Sequence, residues 1–83
     1  MSNQYIFAMK KIVSNPKILG GKPIIKGTRL SVDFILKLLA AGTSYDEILK
    51  DYPHITIGDI HACLDFAARS LKNDIYLEVE NAT

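Results

Sequence analysis

The sequence predicts a mainly α domain of three helices, the last two joined by a tight turn as a helix-turn-helix, with a short β-hairpin in front. Three observations carry that reading. Residues 44–52 and 56–71 each open on a capping residue with an acid three positions later, Ser44 with Glu47 and Thr56 with Asp59. Pro53 stands between them, where it ends one helix by lacking the N–H that a further turn would need. Ahead of both, residues 10–25 alternate short apolar pairs with turn-formers and keep no helical period.

In chain order, residues 1–11 read as a loose arm whose apolar part is Tyr5, Ile6 and Phe7. The pairs Ile12 and Val13, Ile18 and Leu19, and Ile24 and Ile25 are separated by Asn15-Pro16 and Gly20-Gly21, which predicts short strands joined by turns. The two glycines supply the left-handed positions that a reversal needs, and Pro23 sits where no ladder N–H is required. Gly27 marks a second irregularity before Thr28, Arg29 and Leu30. Ser31 caps a helix expected over residues 32–41, which stops at Gly42. Val32, Ile35, Leu38 and Leu39 form its core stripe, widened by Phe34 and Leu36, while Asp33 and Lys37 make an outward i, i+4 pair. A helix apolar over most of its circumference is expected at the centre of the fold.

The second helix is about two turns long, with Tyr45, Ile48, Leu49 and Tyr52 at helical spacing. In the third, Ile57, Ile60, Leu64, Ala67 and Leu71 fall on one stripe expected to face the core. A turn of 100° per residue then sets Asp59, Ala62, Phe66 and Arg69 on the opposite side, with Cys63 and Ser70 along a flank. As a reader of DNA bases this outward set is poor, because an acid near the helix tip repels phosphate and Arg69 is its one clear donor. An exposed Phe66 beside small residues suits a protein contact better. His61, between the faces, is expected to be a partly buried polar residue. Residues 72–83 alternate Ile75, Leu77 and Val79 with Tyr76, Glu78 and Glu80, which fits a strand or a frayed extension of the third helix. Residues 73–83 form an acidic tail able to pair with a sheet edge or a partner.

With 83 residues the chain makes one domain, and one this small buries only about 60 to 65% of its unfolded surface. Since 48% of the residues are apolar, a dimer or a partner protein is the natural cover for the remainder. A single cysteine excludes an internal disulfide, and with no secretory pattern the chain reads as cytoplasmic. No apolar run is long enough to cross a bilayer. The net charge of +1 conceals a split: residues 1–32 carry Lys10, Lys11, Lys17, Lys22, Lys26 and Arg29 and no acid, whereas residues 33–83 hold four basic residues against nine acidic ones. The first part suits an anionic partner, nucleic acid or an acidic protein face, although spread lysines are also ordinary solvated side chains.

No catalytic constellation assembles. GGKPIIKGT lacks the spacing of a phosphate loop and does not run directly into a helix, so the glycines read as structural and Lys22, Lys26 and Arg29 as electrostatic. His61 and Cys63 are only two possible metal ligands, and His54 lies seven residues away across a helix start. Asp46, Glu47, Asp51, Asp59 and Asp65 fall mainly on outward positions that serve solubility. The chain is expected to be no enzyme and to hold no cofactor and no metal.

The run GGKPIIKGTRLSV, then AAGTSYDEILKDYPHITIGDI, then a helix beginning HACLDFAA, resembles a small bacterial and archaeal family, the domain of unknown function 433, over residues 11–70. The resemblance implies a homeodomain-like helix-turn-helix with a small β element in front. It also implies a VapB-type antitoxin of a type II toxin-antitoxin system, whose partner is a PIN-like ribonuclease toxin. The family's glycine, proline and GTR positions fall on Gly20, Gly21, Pro23, Gly27, Thr28 and Arg29, and its turn between helices on Tyr52, Pro53 and His54.

The expected function is therefore an antitoxin that neutralises such a toxin and binds operator DNA as a homodimer. The alternative is a protein-interaction module of helix-turn-helix shape without DNA binding. DNA contacts are expected from Lys22, Lys26, Arg29, Thr56 and Arg69, and partner contacts from Arg29, Phe66, Tyr76 and Leu77. PIN-like active sites hold metal through clustered acids, so a basic residue offered to them is a chemically sound block; Arg29 is the first candidate and Lys26 the second. Arg29 could equally brace the β element through backbone carbonyls or a helix end.

Overall fold

The computed structural model describes residues 11–71, and over them the chain is mainly helical, with three α-helices and one two-stranded antiparallel sheet. Strand β1 (Ile12–Ser14) pairs with β2 (Pro23–Ile25) in the register Ile12 to Ile25, Val13 to Ile24 and Ser14 to Pro23. The connection, residues 15–22, first turns at Asn15, whose carbonyl accepts the Ile18 N–H at 2.8 Å, so Ile18 and Leu19 form no strand. It then makes a 3-10 turn, Leu19–Gly21, in which three successive residues are left-handed: Leu19 (φ 51°), Gly20 (65°) and Gly21 (87°). Glycine accepts that conformation without steric cost; Leu19 does not.

Each helix begins where its local chemistry says it should. Ser31 caps α1 (Val32–Ala40) by accepting the Phe34 N–H at 3.1 Å, and the chain leaves α1 through Gly42 at φ 92°. A reciprocal capping box opens α2 (Tyr45–Asp51): Ser44 Oγ accepts the Glu47 N–H at 3.1 Å and Glu47 Oε1 accepts the Ser44 N–H at 2.9 Å. A second box opens α3 (Ile57–Ser70), with Thr56 and Asp59 exchanging the same bonds at 3.2 and 2.9 Å. Between α2 and α3, the Ile55 N–H closes the turn on Tyr52 O at 3.1 Å while the Ile55 side chain is buried in the core.

The core draws on every element: Ile12 and Ile25 from the sheet, Val32 and Ile35 from α1, Ile48 from α2, Ile55 from the turn, and Ile60, Ala62 and Cys63 from α3. A buried isoleucine contributes about 1.5 to 3 kcal/mol, so this small cluster supplies most of what holds the domain together. Helix α3 is the hub, packing against α1, α2 and β1.

Its buried face is only in part the expected one, since Ile60 turns inward as expected and Ile57, Leu64 and Leu71 do not. Ile60 and Cys63 are fully buried and Ala62 nearly so, whereas Ile57, Leu64 and Leu71 are 48%, 37% and 56% exposed. The helix is turned by roughly a quarter turn from the orientation that its aliphatic stripe suggests. The physical reason is crowding: α3 meets three neighbours, small Ala62 and Cys63 let them approach, and the large Ile57, Leu64 and Leu71 stay outside. Phe66 accordingly packs against the core instead of standing free, and His61 is exposed, its ring edge-on to Tyr45 at 5.7 Å. Phe34 also departs from expectation: at 36% exposure it sets its ring edge-on against Tyr52, with centroids 5.8 Å apart.

Candidate functional site

The turn between β2 and α1 carries two exposed basic residues, Lys26 and Arg29. It is fixed from within by Thr28, whose hydroxyl donates to Ile25 O at 2.8 Å and accepts the Leu30 N–H at 2.9 Å. Backbone bonds from Thr28 N–H to Ile25 O and from Ile25 N–H to Leu30 O, at 3.0 and 2.9 Å, close the loop, and Gly27 takes the left-handed position at φ 82°. Lys26 is anchored by its main chain, its N–H donating to Lys11 O at 2.8 Å. The side chains of Lys26 and Arg29 are left exposed on this rigid reversal. Arg29 makes no ion pair or hydrogen bond among the described residues, so it does not brace the β element. It borders a cleft of about 380 Å³ with Val13, Ile18 and Ile24, beside Asn15 and Thr28. An arginine bordering a partly apolar cleft has the chemistry to hold a carboxylate or phosphate in two places at once.

Lys22 belongs to a different arrangement. Its Nζ lies 3.5 Å from Asp33 Oδ2, and Lys37 reaches the same carboxylate oxygen at 3.8 Å. The Ser31 hydroxyl, donating to Asp33 at 2.6 Å, holds that carboxyl below its ordinary value, and the two lysines add to the effect. Lys22, Pro23, Val32 and Leu36 line one side of a groove of about 410 Å³, and Phe66, Ala67 and Leu71 from the last turns of α3 line the other. Phe66 thus forms part of the wall of a groove and is not a protruding knob.

The remaining expected DNA contacts do not converge with these. Thr56 and Arg69 stand near opposite ends of α3, about 20 Å apart along its axis. The Thr56 oxygen is used as the helix cap, and Arg69 Nε donates to Asp65 Oδ2 at 2.9 Å. The expected outward set of Asp59, Ala62, Phe66 and Arg69 is not a surface at all, since Ala62 is buried and Asp59 is bonded to Lys11. The true outward face, Ile57, His61, Leu64, Ala68 and Leu71, carries no lysine or arginine. A signal for it was present in the spacing, which steps four, three, four and three residues, the seam period of paired helices. Tyr76 and Leu77 lie outside the described residues, as do the arm at 1–10 and the tail at 73–83.

Among the described residues no group of three or more His, Cys, Asp or Glu side chains could hold a metal ion, and no helix is long and apolar enough to cross a membrane. Cys63, the hub of the core, has its thiol pushed up to about 12 by burial and by the charge of Asp59.

Comparison with known proteins bears on the same residues. An uncharacterized protein of Sinorhizobium fredii, y4eO, is 38% identical over 48 residues, an alignment that covers 58% of this chain and 22% of that protein. The chain therefore spans less than a quarter of the length of this curated relative. No solved structure matches this chain. The model of the family described as "Protein of unknown function (DUF433)" matches residues 12–67, from the first residue of β1 into the last turns of α3, and so takes in the Thr28 turn and both capping boxes. With most of its length inside that match, the chain belongs to the DUF433 family.

Proposed function

We propose that this chain is a cytoplasmic VapB-type antitoxin with a homeodomain-like helix-turn-helix, which neutralises a PIN-like ribonuclease toxin. The observation that carries the reading is Arg29, a guanidinium with no partner among the described residues, held on a reversal that Thr28 and four hydrogen bonds make rigid. A ribonuclease that binds metal through clustered carboxylates presents an acidic pocket, and a preorganised arginine enters it at little entropic cost. Lys26 on the same turn reinforces the charge, and the groove beside Phe66 takes an apolar side chain of the toxin. Operator DNA is bound by a dimer of the antitoxin through phosphate contacts from Lys22, Lys26 and Arg29, because the outward face of α3 holds no lysine or arginine with which to read bases.

The test is neutralisation by Arg29→Ala. Arg29 is exposed and unbonded among the described residues, so the variant keeps its fold, with stability within about 0.5 kcal/mol of the parent, and loses toxin inhibition. Full inhibition by a folded Arg29→Ala chain refutes the assignment. Phosphate contacts are tested separately by binding to promoter DNA across a salt series, where each contact adds about 0.9 to the log-log slope. Affinity unchanged by salt leaves the second reading, a protein-interaction module of the same shape, which the apolar outer face of α3 favours.

A further inference from the structure

Five exposed positions on α3 and its cap, Ile57, His61, Leu64, Ala68 and Leu71, form a straight seam with large aliphatic residues every seventh position and smaller or amphipathic ones between. We infer that this seam pairs two copies of the chain through antiparallel α3 helices. The inference takes its dimer from the function proposed above and adds how that dimer is built.

Two features select a second copy as the occupant. Steps of four and three residues keep a stripe in register only against another helix, because the narrow seam they trace follows a partner of the same pitch. The sizes are also self-complementary in one direction. Run antiparallel, Leu64 of each copy meets Ala68 of the other and Leu71 meets His61, so these four layers each set a bulky side chain against one that leaves room for it, and Ile57 lies beyond the paired stretch. Run parallel, Leu64 would meet Leu64, Ala68 would face Ala68 across a gap, and the two His61 rings would oppose each other. Charge permits the antiparallel arrangement: the neighbouring acid Asp65 is neutralised within its own helix by Arg69 at 2.9 Å, so two like flanks approach without net repulsion.

Helix α3 is about 21 Å long, and one helix pair covers less than the roughly 800 Å² per partner of a standard stable interface. The dimer is therefore weak and concentration-dependent. Its formation removes α3 from any DNA groove and leaves the Thr28 turn as the anion-facing surface.

The experiment uses the full chain alone, without toxin or DNA, so that its outcome is separable from the neutralisation test on Arg29. Sedimentation is followed over a concentration series reaching the high micromolar range for the parent, Leu64→Glu and Ala68→Glu. Ala68 is exposed and glutamate is a good helix former, so the second variant keeps the fold if the first does not. The parent shifts from monomer to dimer, and both variants weaken the shift at least tenfold. Under oxidation the double variant Leu64→Cys with Ala68→Cys gives a cross-linked dimer, and neither single variant does; the buried Cys63 stays out of the reaction. A parent that remains monomeric throughout overturns both the seam and the dimer of the proposed function. A dimer indifferent to both glutamates overturns the seam alone. Cross-linking by Leu64→Cys alone overturns the pairing of Leu64 with Ala68, and a Leu64→Glu chain that dimerises normally yet fails to bind toxin reassigns the stripe to the toxin.

Discussion

Lys11 Nζ lies 3.2 Å from Asp59 Oδ1, an ion pair that ties the start of the sheet to the first turn of α3 across 48 residues of sequence. The same carboxylate accepts the Thr56 N–H through its other oxygen, so one side chain both caps the helix and docks it. With Asp59 only 14% exposed, the pair is better shielded from water than the other ion pairs of the domain. The lysine stem also passes over Gly58, where a Cβ would meet its Cε at 3.7 Å.

Replacing Asp59 by alanine removes its half of the capping box and the ion pair together, leaves the Thr56 cap in place, and is expected to cost about 1 to 2 kcal/mol. Asp59→Asn keeps an oxygen for the Thr56 N–H and loses only the charge attraction, so its cost is smaller. Lys11→Ala isolates the docking half, and the double-mutant cycle with Asp59→Ala gives a coupling of about 0.5 to 1 kcal/mol. Urea titrations measure all three. Strictly additive single costs would mean that the pair contributes nothing.

Acid should unfold the domain partly through its helix caps. Glu47 is held below its ordinary value by the Ser44 N–H and then by the Ser44 hydroxyl, and Asp33 by the Ser31 hydroxyl and two lysines. Both carboxyls are depressed in the folded chain. Their contribution is therefore complete above the ordinary carboxylate range and is lost as pH falls through the folded values. The melting temperature is expected to drop on going from about pH 5 to pH 3, and Glu47→Gln, which keeps an acceptor but does not titrate, to flatten that drop. An identical acid limb in the two proteins would remove Glu47 from the explanation.

The helices were legible because their signals are local. Ser44 with Glu47, Thr56 with Asp59, and Ser31 with Gly42 define starts and a stop within a few residues, and the bonds they imply are the ones that form. The paired strands were legible for the same reason, from Ile12 and Val13, Ile24 and Ile25, and the glycines between them. The orientation of α3 was not, because that helix has two apolar stripes, and hydrophobicity favours Ile57, Leu64 and Leu71 over Ala62 and Cys63. Which stripe goes inward depends on how closely α1, α2 and β1 approach, a tertiary quantity that no local window contains. Arg29 could be picked out by residue type, but its lack of partners among the described residues depended on Thr28 satisfying the turn by itself.

Leu19 offers a route to higher stability. A branched side chain at φ 51° strains the backbone, and at 47% exposure it recovers little of that cost by packing. Asparagine tolerates the left-handed region far better. Leu19→Asn is expected to raise stability by about 0.5 to 1 kcal/mol, seen as a higher urea midpoint at unchanged slope. A lower midpoint would mean that Leu19 makes a contact worth more than its strain.

Cys63 should report on opening of the core. Its thiol is fully buried beneath the junction of α3 with its neighbours and pushed up to about 12, so at neutral pH almost no thiolate exists and no reagent can reach it. Alkylation by iodoacetamide in native buffer is expected to proceed only through unfolding, at a rate that rises with urea as the unfolded population rises. Cys63→Ser would set a hydroxyl in an apolar site and cost about 1 to 3 kcal/mol, while Cys63→Ala, which removes the sulfur without adding a polar atom, costs less. Modification in native buffer at the rate of a free thiol would place Cys63 at the surface and contradict the packing of α3 described above.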